Sequence, residues 1–217
     1  MILALYGHPF SSYTWKALIA LYANATPFEF RMVDPGHPDH AAFVAAASPM
    51  GKFPVLAHDG AEIFEATAII EHLDVHHPGE KPLIPWDDDD AVHERMIDRV
   101  FDNYVMSPMQ EIVAAHIRAP GMPDSQIVGR ARDMLERSYV WLDEWLARAG
   151  TRKRIGLIEC AAAPSLFYAD WVCPIPMRLD RLRQWRAHLL GLPAVARCVD
   201  EARPYRGFFP PGAPDCD

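Results

Sequence analysis

The chain has 217 residues, a mass of 24.4 kDa and a formal net charge of −8, with 50% of its residues hydrophobic and 23% charged. That length makes one large domain or two small ones, and it buries enough surface to fold without a metal or disulfide staple. The acidic balance excludes nucleic acid and anionic lipid as the main partner, since both need a basic footprint, but it leaves room for small anions held by local donors.

The first ten residues, MILALYGHPF, carry no basic n-region and no small-residue cleavage site, and no apolar run reaches the length of a membrane span. Cys160, Cys173, Cys198 and Cys216 contain no C-x-x-C spacing and do not read as a disulfide framework. The expected compartment is the reducing cytoplasm, with no membrane partner.

In chain order, residues 2–6 (ILALY) form a short apolar strand closed by a Gly-His-Pro turn. A helix is predicted from Tyr13 to about Asn24, with Trp15, Leu18, Ile19 and Tyr22 on one face. Phe28, Phe30 and Met32 alternate with Glu29 and Arg31 as a strand, and residues 39–47 read as an Ala-rich helix. Phe53–His58 and Ala61–Phe64 flank Asp59-Gly60, a tight hairpin turn. A helix follows from Glu65 to about His76, with Ile69, Ile70 and Leu73 inward.

This order places an α/β unit over residues 1–78, in which helices cover a mixed sheet. Prolines and glycine make 79–88 a linker, and the acidic run Asp87–Asp90 opens a new helix where negative charge suits the helix dipole. Residues 89–217 read as all-helical. Met96, Val100, Tyr104 and Val105 are expected on one face, and Pro108 is expected to kink or break that helix. Further helices are predicted over 125–148, 157–172 (buried on all sides), 178–190 and 193–203, before an irregular tail.

Four features carry chemistry. Ser11-Ser12 lie between the first strand and the first helix, where a hydroxyl either caps the helix or joins free amides in stabilising an anion such as a thiolate. Phe53-Pro54 enters a strand after Gly51-Lys52; a trans edge-strand proline is the common case, and a cis bond would turn the Phe53 backbone outward toward a peptide-like ligand. Glu65-Ala66-Thr67 opens a helix, offering amides to a carboxylate and an acid to an ammonium, or simply favourable charge in a first turn. Tyr104, Met106, Met109 and His116 line either an adaptable pocket or the core. His37, His40, His76 and His77 show no ligand partners at a recognised metal spacing and read as surface residues. Phosphate loops, nucleophile elbows and zinc-protease motifs are absent.

The stretches LYGHPFSSYTWKALIALYANATPFEF, SPMGKFPVL, EATAIIEHL and GLIECAAAPSLFYADWV, in this order, resemble the cytosolic glutathione transferases over essentially the whole chain, and the serine-type zeta and theta-like branches most. The resemblance implies a thioredoxin-like N-terminal domain (βαβαββα), an all-α C-terminal domain and a homodimer. It implies conjugation of glutathione to a small, largely apolar electrophile, as in detoxification, with no metal.

By the same match Ser11 is the thiolate-activating residue with Ser12 beside it, and Tyr6 or Tyr13 are the alternatives. Phe53, followed by a cis Pro54, would bond the cysteinyl backbone, Glu65 and Ala66 would hold the γ-glutamyl end, and Lys52 and His40 would lie near the glycine carboxylate. Two departures stand out. Ala66 replaces the family's usual serine, and Gly156 with Glu159 replaces the usual Ser/Thr and Asp capping box, where Glu can still reach the cap amide. A glutathione-dependent isomerase of the zeta (maleylacetoacetate) kind and a non-catalytic glutathione-binding module are the alternatives.

Overall fold

The computed structural model describes residues 3–150, 154–215 and 217, so Ile2 of the predicted first strand and Cys216 lie outside the described residues. The N-terminal part runs β1 (Leu3–Gly7), α1 (Ser12–Ala23), β2 (Phe28–Met32), α2 (Pro38–Ala47), β3 (Val55–His58), β4 (Ala61–Phe64) and α3 (Ala66–His76). The sheet order is β2-β1-β3-β4, with β1 parallel to β2 and antiparallel to β3. This is the thioredoxin-like arrangement βαβαββα. Asp59 and Gly60 both take positive φ (50° and 84°), the geometry of a primed hairpin turn between β3 and β4.

Helix α1 was expected to bury one face, yet every residue from Trp15 to Leu21 is buried. The reason is its position: α3 and, from the helical part, α7 (Leu157–Val172) and α9 (Pro193–Ala202) all pack around it. Gly7 ends β1 where a Cβ would lie 2.6 Å from the Thr14 side chain, so only glycine lets the strand pass this close to α1. Tyr6 points away from that contact and stacks on Phe43 of α2, with ring centroids 4.1 Å apart.

The helical part comprises α4 (Asp88–Phe101), α5 (Ser107–Arg118), α6 (Ser125–Ala149), α7 (Leu157–Val172), α8 (Asp180–Leu190), α9 (Pro193–Ala202) and a closing 3₁₀ turn (Arg203–Phe208). Asp87 caps α4, accepting from the amides of Asp89 and Asp90. Helix α7 is buried on nearly all sides, as its composition predicts. The Gly156 amide donates to Glu159 Oε2 at 2.9 Å, so the glutamate half of the capping box forms, glycine having no side chain to supply the other. A Cβ on residue 156 would meet the Leu83 carbonyl oxygen at 3.0 Å, which explains the glycine.

Two expectations are corrected. The buried side of α4 carries Glu94, Ile97, Asp98 and Phe101, while Met96 is exposed, and so is Tyr104 beyond the helix end. Two acids replace the apolar face because they bond inside the protein: Glu94 Oε2 accepts from the Ile158 amide at 3.3 Å, and Asp98 Oδ1 lies 2.6 Å from Lys16 Nζ. Pro108 does not break the chain of helices. A π turn, Asp102–Met106, joins α4 to α5, and the Ser107 amide reaches back to the Asp102 carbonyl. At the end of α3 His76 is exposed, as expected of a surface residue, and His77 Nε2 lies 3.3 Å from His58 Nε2.

The segment between α3 and α4 is anchored: Leu83 and Ile84 are buried, and Asp74 accepts from the Leu83 amide at 2.6 Å. Cys160, Cys173 and Cys198 are buried and free. No described helix is long and apolar enough to cross a membrane.

Candidate active site

Between the end of β1 and the start of α1 the chain makes a fixed corner. The Ser11 amide donates to the His8 carbonyl at 2.9 Å, the Trp15 indole donates to the Pro9 carbonyl at 2.6 Å, and Tyr168 donates to the Phe10 carbonyl at 3.1 Å. Ser11 is the N-cap of α1, its Oγ accepting from the Thr14 amide at 3.2 Å. That bond uses a lone pair and leaves the hydroxyl proton available, so capping and donation to an anion are compatible. Ser12 is buried, and its Oγ accepts from Gln110 Nε2 of α5 at 3.1 Å.

Two chambers open around this corner. The first, about 630 Å³, is lined by Ser11 and Ser12, by Met109, Gln110 and Val113 of α5, and by an aromatic wall that includes Phe10, Tyr168 and Phe209. The second, about 540 Å³, is lined by Pro54, Glu65, Ala66 and Thr67, and across from them by Arg99, Asp102 and Asn103. Tyr13, Lys52 and Phe53 line both chambers and form their common wall.

The second chamber is built for a charged ligand. Helix α3 begins at Ala66, and Glu65, its N-cap, makes no side-chain capping bond. The first amides of α3 therefore face the chamber with the positive end of the helix dipole behind them, which favours an anion. Glu65 holds φ at +70°, a conformation that costs of the order of 1–3 kcal/mol outside glycine and that collects at binding sites. The Phe53-Pro54 bond is cis. The β3 ladder with β1 starts at Val55, so Phe53 sits beyond the paired strand with its backbone beside the common wall.

Behind this chamber lies a buried ion cluster. Lys16 of α1, fully buried, holds Asp98 Oδ1 at 2.6 Å and both oxygens of Asp102 at 2.7 and 2.8 Å. Thr67 donates to Asp98 Oδ2 at 2.9 Å, and Arg99 donates to the same oxygen at 2.6 Å. Burial pushes the Asp102 carboxyl up from its ordinary range, and Lys16 opposes that shift. Burial, then the nearby Asp102 charge, pushes the Tyr13 phenol up to about 12, which keeps it a proton donor.

The N-terminal residues 5–81 match the family model described as "Glutathione S-transferase, N-terminal domain". Among curated proteins, the chain is 26% identical over 170 residues to glutathione S-transferase 1 of Dianthus caryophyllus, covering 75% of each. It is 26% identical over 215 residues to a probable maleylacetoacetate isomerase of Vibrio cholerae, covering 94% of this chain and 98% of the relative. A glutathione S-transferase of Methylobacterium radiotolerans, solved in complex with glutathione sulfonate, superposes with a TM-score of 0.75 at 25% identity, covering 92% of this chain and 95% of that one. Residues 5–81 thus carry a glutathione S-transferase N-terminal domain, and the chain as a whole is similar to glutathione S-transferases in sequence and fold.

Within that family frame, the structure brings together Ser11, Ser12, Lys52, Phe53, Pro54, Glu65 and Ala66 across the two adjoining chambers. His40 stands apart: it lines neither chamber, and its Nδ1 bonds the Met32 carbonyl at 2.7 Å. Tyr6 also lines neither, being held on the α2 side of the sheet. Of the Met/His/aromatic stretch, Met109 reaches the first chamber, Met106 is core, and His116 bonds the Ile112 carbonyl at 2.8 Å.

Sequence reasoning missed Gln110, Arg99, Asp102 and the tail residues Phe208, Phe209 and Pro210. The signal for Asp98 and Asp102 was a polar residue recurring every four positions in a helix otherwise read by its apolar residues. The tail gave none, because it meets the chamber wall through contacts distant in sequence, such as Phe209 against Trp171 with ring centroids 5.1 Å apart.

Proposed function

We propose that the chain is a glutathione transferase that activates the thiol of glutathione for attack on a small, largely apolar electrophile. The observation that carries this reading is the pair of chambers joined at Tyr13, Lys52 and Phe53, one polar and fronted by a helix N-terminus, the other apolar and aromatic. A tripeptide in the polar chamber and an electrophile in the apolar one would meet at that wall, beside Ser11.

In this reading the amides of Ala66 and Thr67 bind the γ-glutamyl carboxylate, and Glu65 pairs with its ammonium. The Phe53 backbone bonds the cysteinyl unit, Pro54 sets the chain direction there, and Lys52 attracts the glycine carboxylate. The Ser11 hydroxyl donates to the sulfur, favouring the thiolate; Ser12, held by Gln110, keeps the corner in place. The thiolate then attacks the electrophilic centre, forming the C–S bond while the leaving group departs or the adduct takes a proton from water. His40 takes no direct part, since it stays outside both chambers. The missing hydroxyl at Ala66 weakens carboxylate binding, by about 1.5–3 kcal/mol for one hydrogen bond to a charged group.

The second reading, isomerisation of a maleyl-type acid, is favoured by the nearly full-length likeness to the Vibrio cholerae protein. Against it, Lys52 is the one basic residue among those lining the apolar chamber, too little positive charge for a dicarboxylate. The remaining partner is a second copy of the chain, for which exposed Phe64 of β4 and Val92 and Met96 of α4 offer apolar surface. The three free buried cysteines suit a reducing cytoplasm.

A glutathione titration by calorimetry, followed by conjugation assays on aromatic electrophiles and an isomerisation assay on a maleyl acid, tests the reading. Ser11→Ala should retain the fold and lower conjugation kcat by at least tenfold while raising the pKa of the bound thiol. Full activity in both Ser11→Ala and Ser12→Ala would move the donor role to Tyr13. Binding without turnover would make the chain a glutathione-binding module.

A further inference from the structure

Away from both chambers, four histidines from two parts of the sequence gather at one corner of the sheet. His58 ends β3, His72 and His76 stand one helical turn apart on α3, and His77 is the C-cap of that helix. His58 Nδ1 lies 2.9 Å from His72 Nε2, and His58 Nε2 lies 3.3 Å from His77 Nε2. His76 packs on the same group, with its ring centroid 4.4 Å from that of His72 and 6.1 Å from that of His58. The Asp59 carboxylate comes within 3.5 Å of His58 Nε2.

The nitrogen chemistry narrows what this corner can do. A neutral imidazole has one N–H and one lone pair. If His58 donates through Nδ1 to His72, its Nε2 turns a lone pair toward His77. Such an outward bond from the distal nitrogen is the usual way a ligating histidine is oriented and made more basic. Two nitrogens bound tetrahedrally to one ion at 2.0–2.1 Å stand about 3.3 Å apart, the separation found between His58 and His77.

We propose that His58 Nε2 and His77 Nε2 chelate a divalent transition cation of the imidazole-preferring class, Zn²⁺, Ni²⁺ or Cu²⁺, oriented by His72 and favoured by the charge of Asp59. No three of these donors among the described residues already surround one point, so the site is a two-imidazole chelate with water on its other positions. The ion would tie the tip of the β3–β4 hairpin to the C-terminal end of α3. That leaves the N-terminus of α3, which fronts the polar chamber, unaltered.

The test is titration of NiCl₂ and ZnCl₂ into the tag-free full chain by calorimetry, with thermal melts run alongside. Micromolar binding of one ion per chain and a melting temperature that rises with metal are expected. His58→Gln and His77→Gln should each weaken binding at least tenfold, whereas His188→Gln, on α8, should not. Conjugation activity without added metal should be unchanged in all three. His58→Ala and His77→Ala, checked by circular dichroism, give a second pair should glutamine itself hold the ion. Affinity no better than millimolar in the native chain, or undiminished binding in both His58 and His77 variants, would overturn the proposal.

Discussion

Tyr13 sits where the two chambers share a wall, and its surroundings determine how its phenol behaves. Free tyrosine ionises near pH 10, whereas burial and the charge of Asp102 carry Tyr13 to about 12. The sign of the consequence follows from linkage. Below pH 10 the phenol is protonated in both folded and unfolded chains, and its contribution is fully present. Between pH 10 and about 12 only the unfolded chain ionises, so stability falls as pH rises through that window. Tyr22, Tyr139 and Tyr168 are raised as well, burial being the first cause in each, and they add to the loss with the same sign. Urea midpoints measured from pH 9 to pH 11.5 should therefore decline, and Tyr13→Phe should make the decline shallower. A flat profile would contradict the burial of these rings. The phenol's position could not have been read from the sequence, in which Tyr13 is only the residue after two serines. Ser11 and Ser12 were legible because strand, turn and helix start are local signals, and Glu65 was legible by place though not by its positive φ.

The join between α4 and α5 shows how an element adapts to an awkward residue. Pro108 has no N–H for the Tyr104 carbonyl that a regular helix would assign it. Ser138 Oγ of α6 lies 2.9 Å from that oxygen and 2.8 Å from the Met134 carbonyl, and its hydroxyl serves both. The π turn just before it adds a residue to the helical period, which turns Asp102 and Asn103 toward the polar chamber and leaves Ser107 and Gln110 on the apolar one. Ser138→Ala should cost about 1–3 kcal/mol in urea unfolding, the penalty for leaving a half-buried carbonyl without its partner. A change below a few tenths would mean that water replaces the hydroxyl freely. At this scale the sequence was informative: apolar periodicity and turn dipeptides located the strands and helices to within a residue or two. It failed at the α4 surface, where apolar spacing pointed to Met96 and Tyr104 and the buried positions belong to Glu94 and Asp98. A pattern counted in apolar residues is blind to acids that are buried because something binds them.

Lys16, Asp98 and Asp102 join α1 of the sheet region to α4 and the π turn of the helical region, across 82 to 86 positions of sequence. Such a buried pair adds little over an apolar replacement of the whole set, but removing one member strands the others. Lys16→Met should cost about 3–5 kcal/mol, because Asp98 and Asp102 then lose the buried cation they share. Replacing Lys16, Asp98 and Asp102 together by apolar residues should recover much of that loss, and chemical denaturation of the two variants compares them directly. No local pattern in the sequence reports this contact: Lys16 looks like an ordinary surface lysine on an amphipathic helix until the helical region is packed over it. The common wall of Tyr13, Lys52 and Phe53 has a kinetic corollary. A conjugate is both reactants in one molecule, and it can keep hold of both compartments at once without paying a second time for lost translational freedom. Under the proposed reaction, then, expulsion of the finished adduct rather than bond formation is the step on which turnover comes to depend as the electrophile grows bulkier.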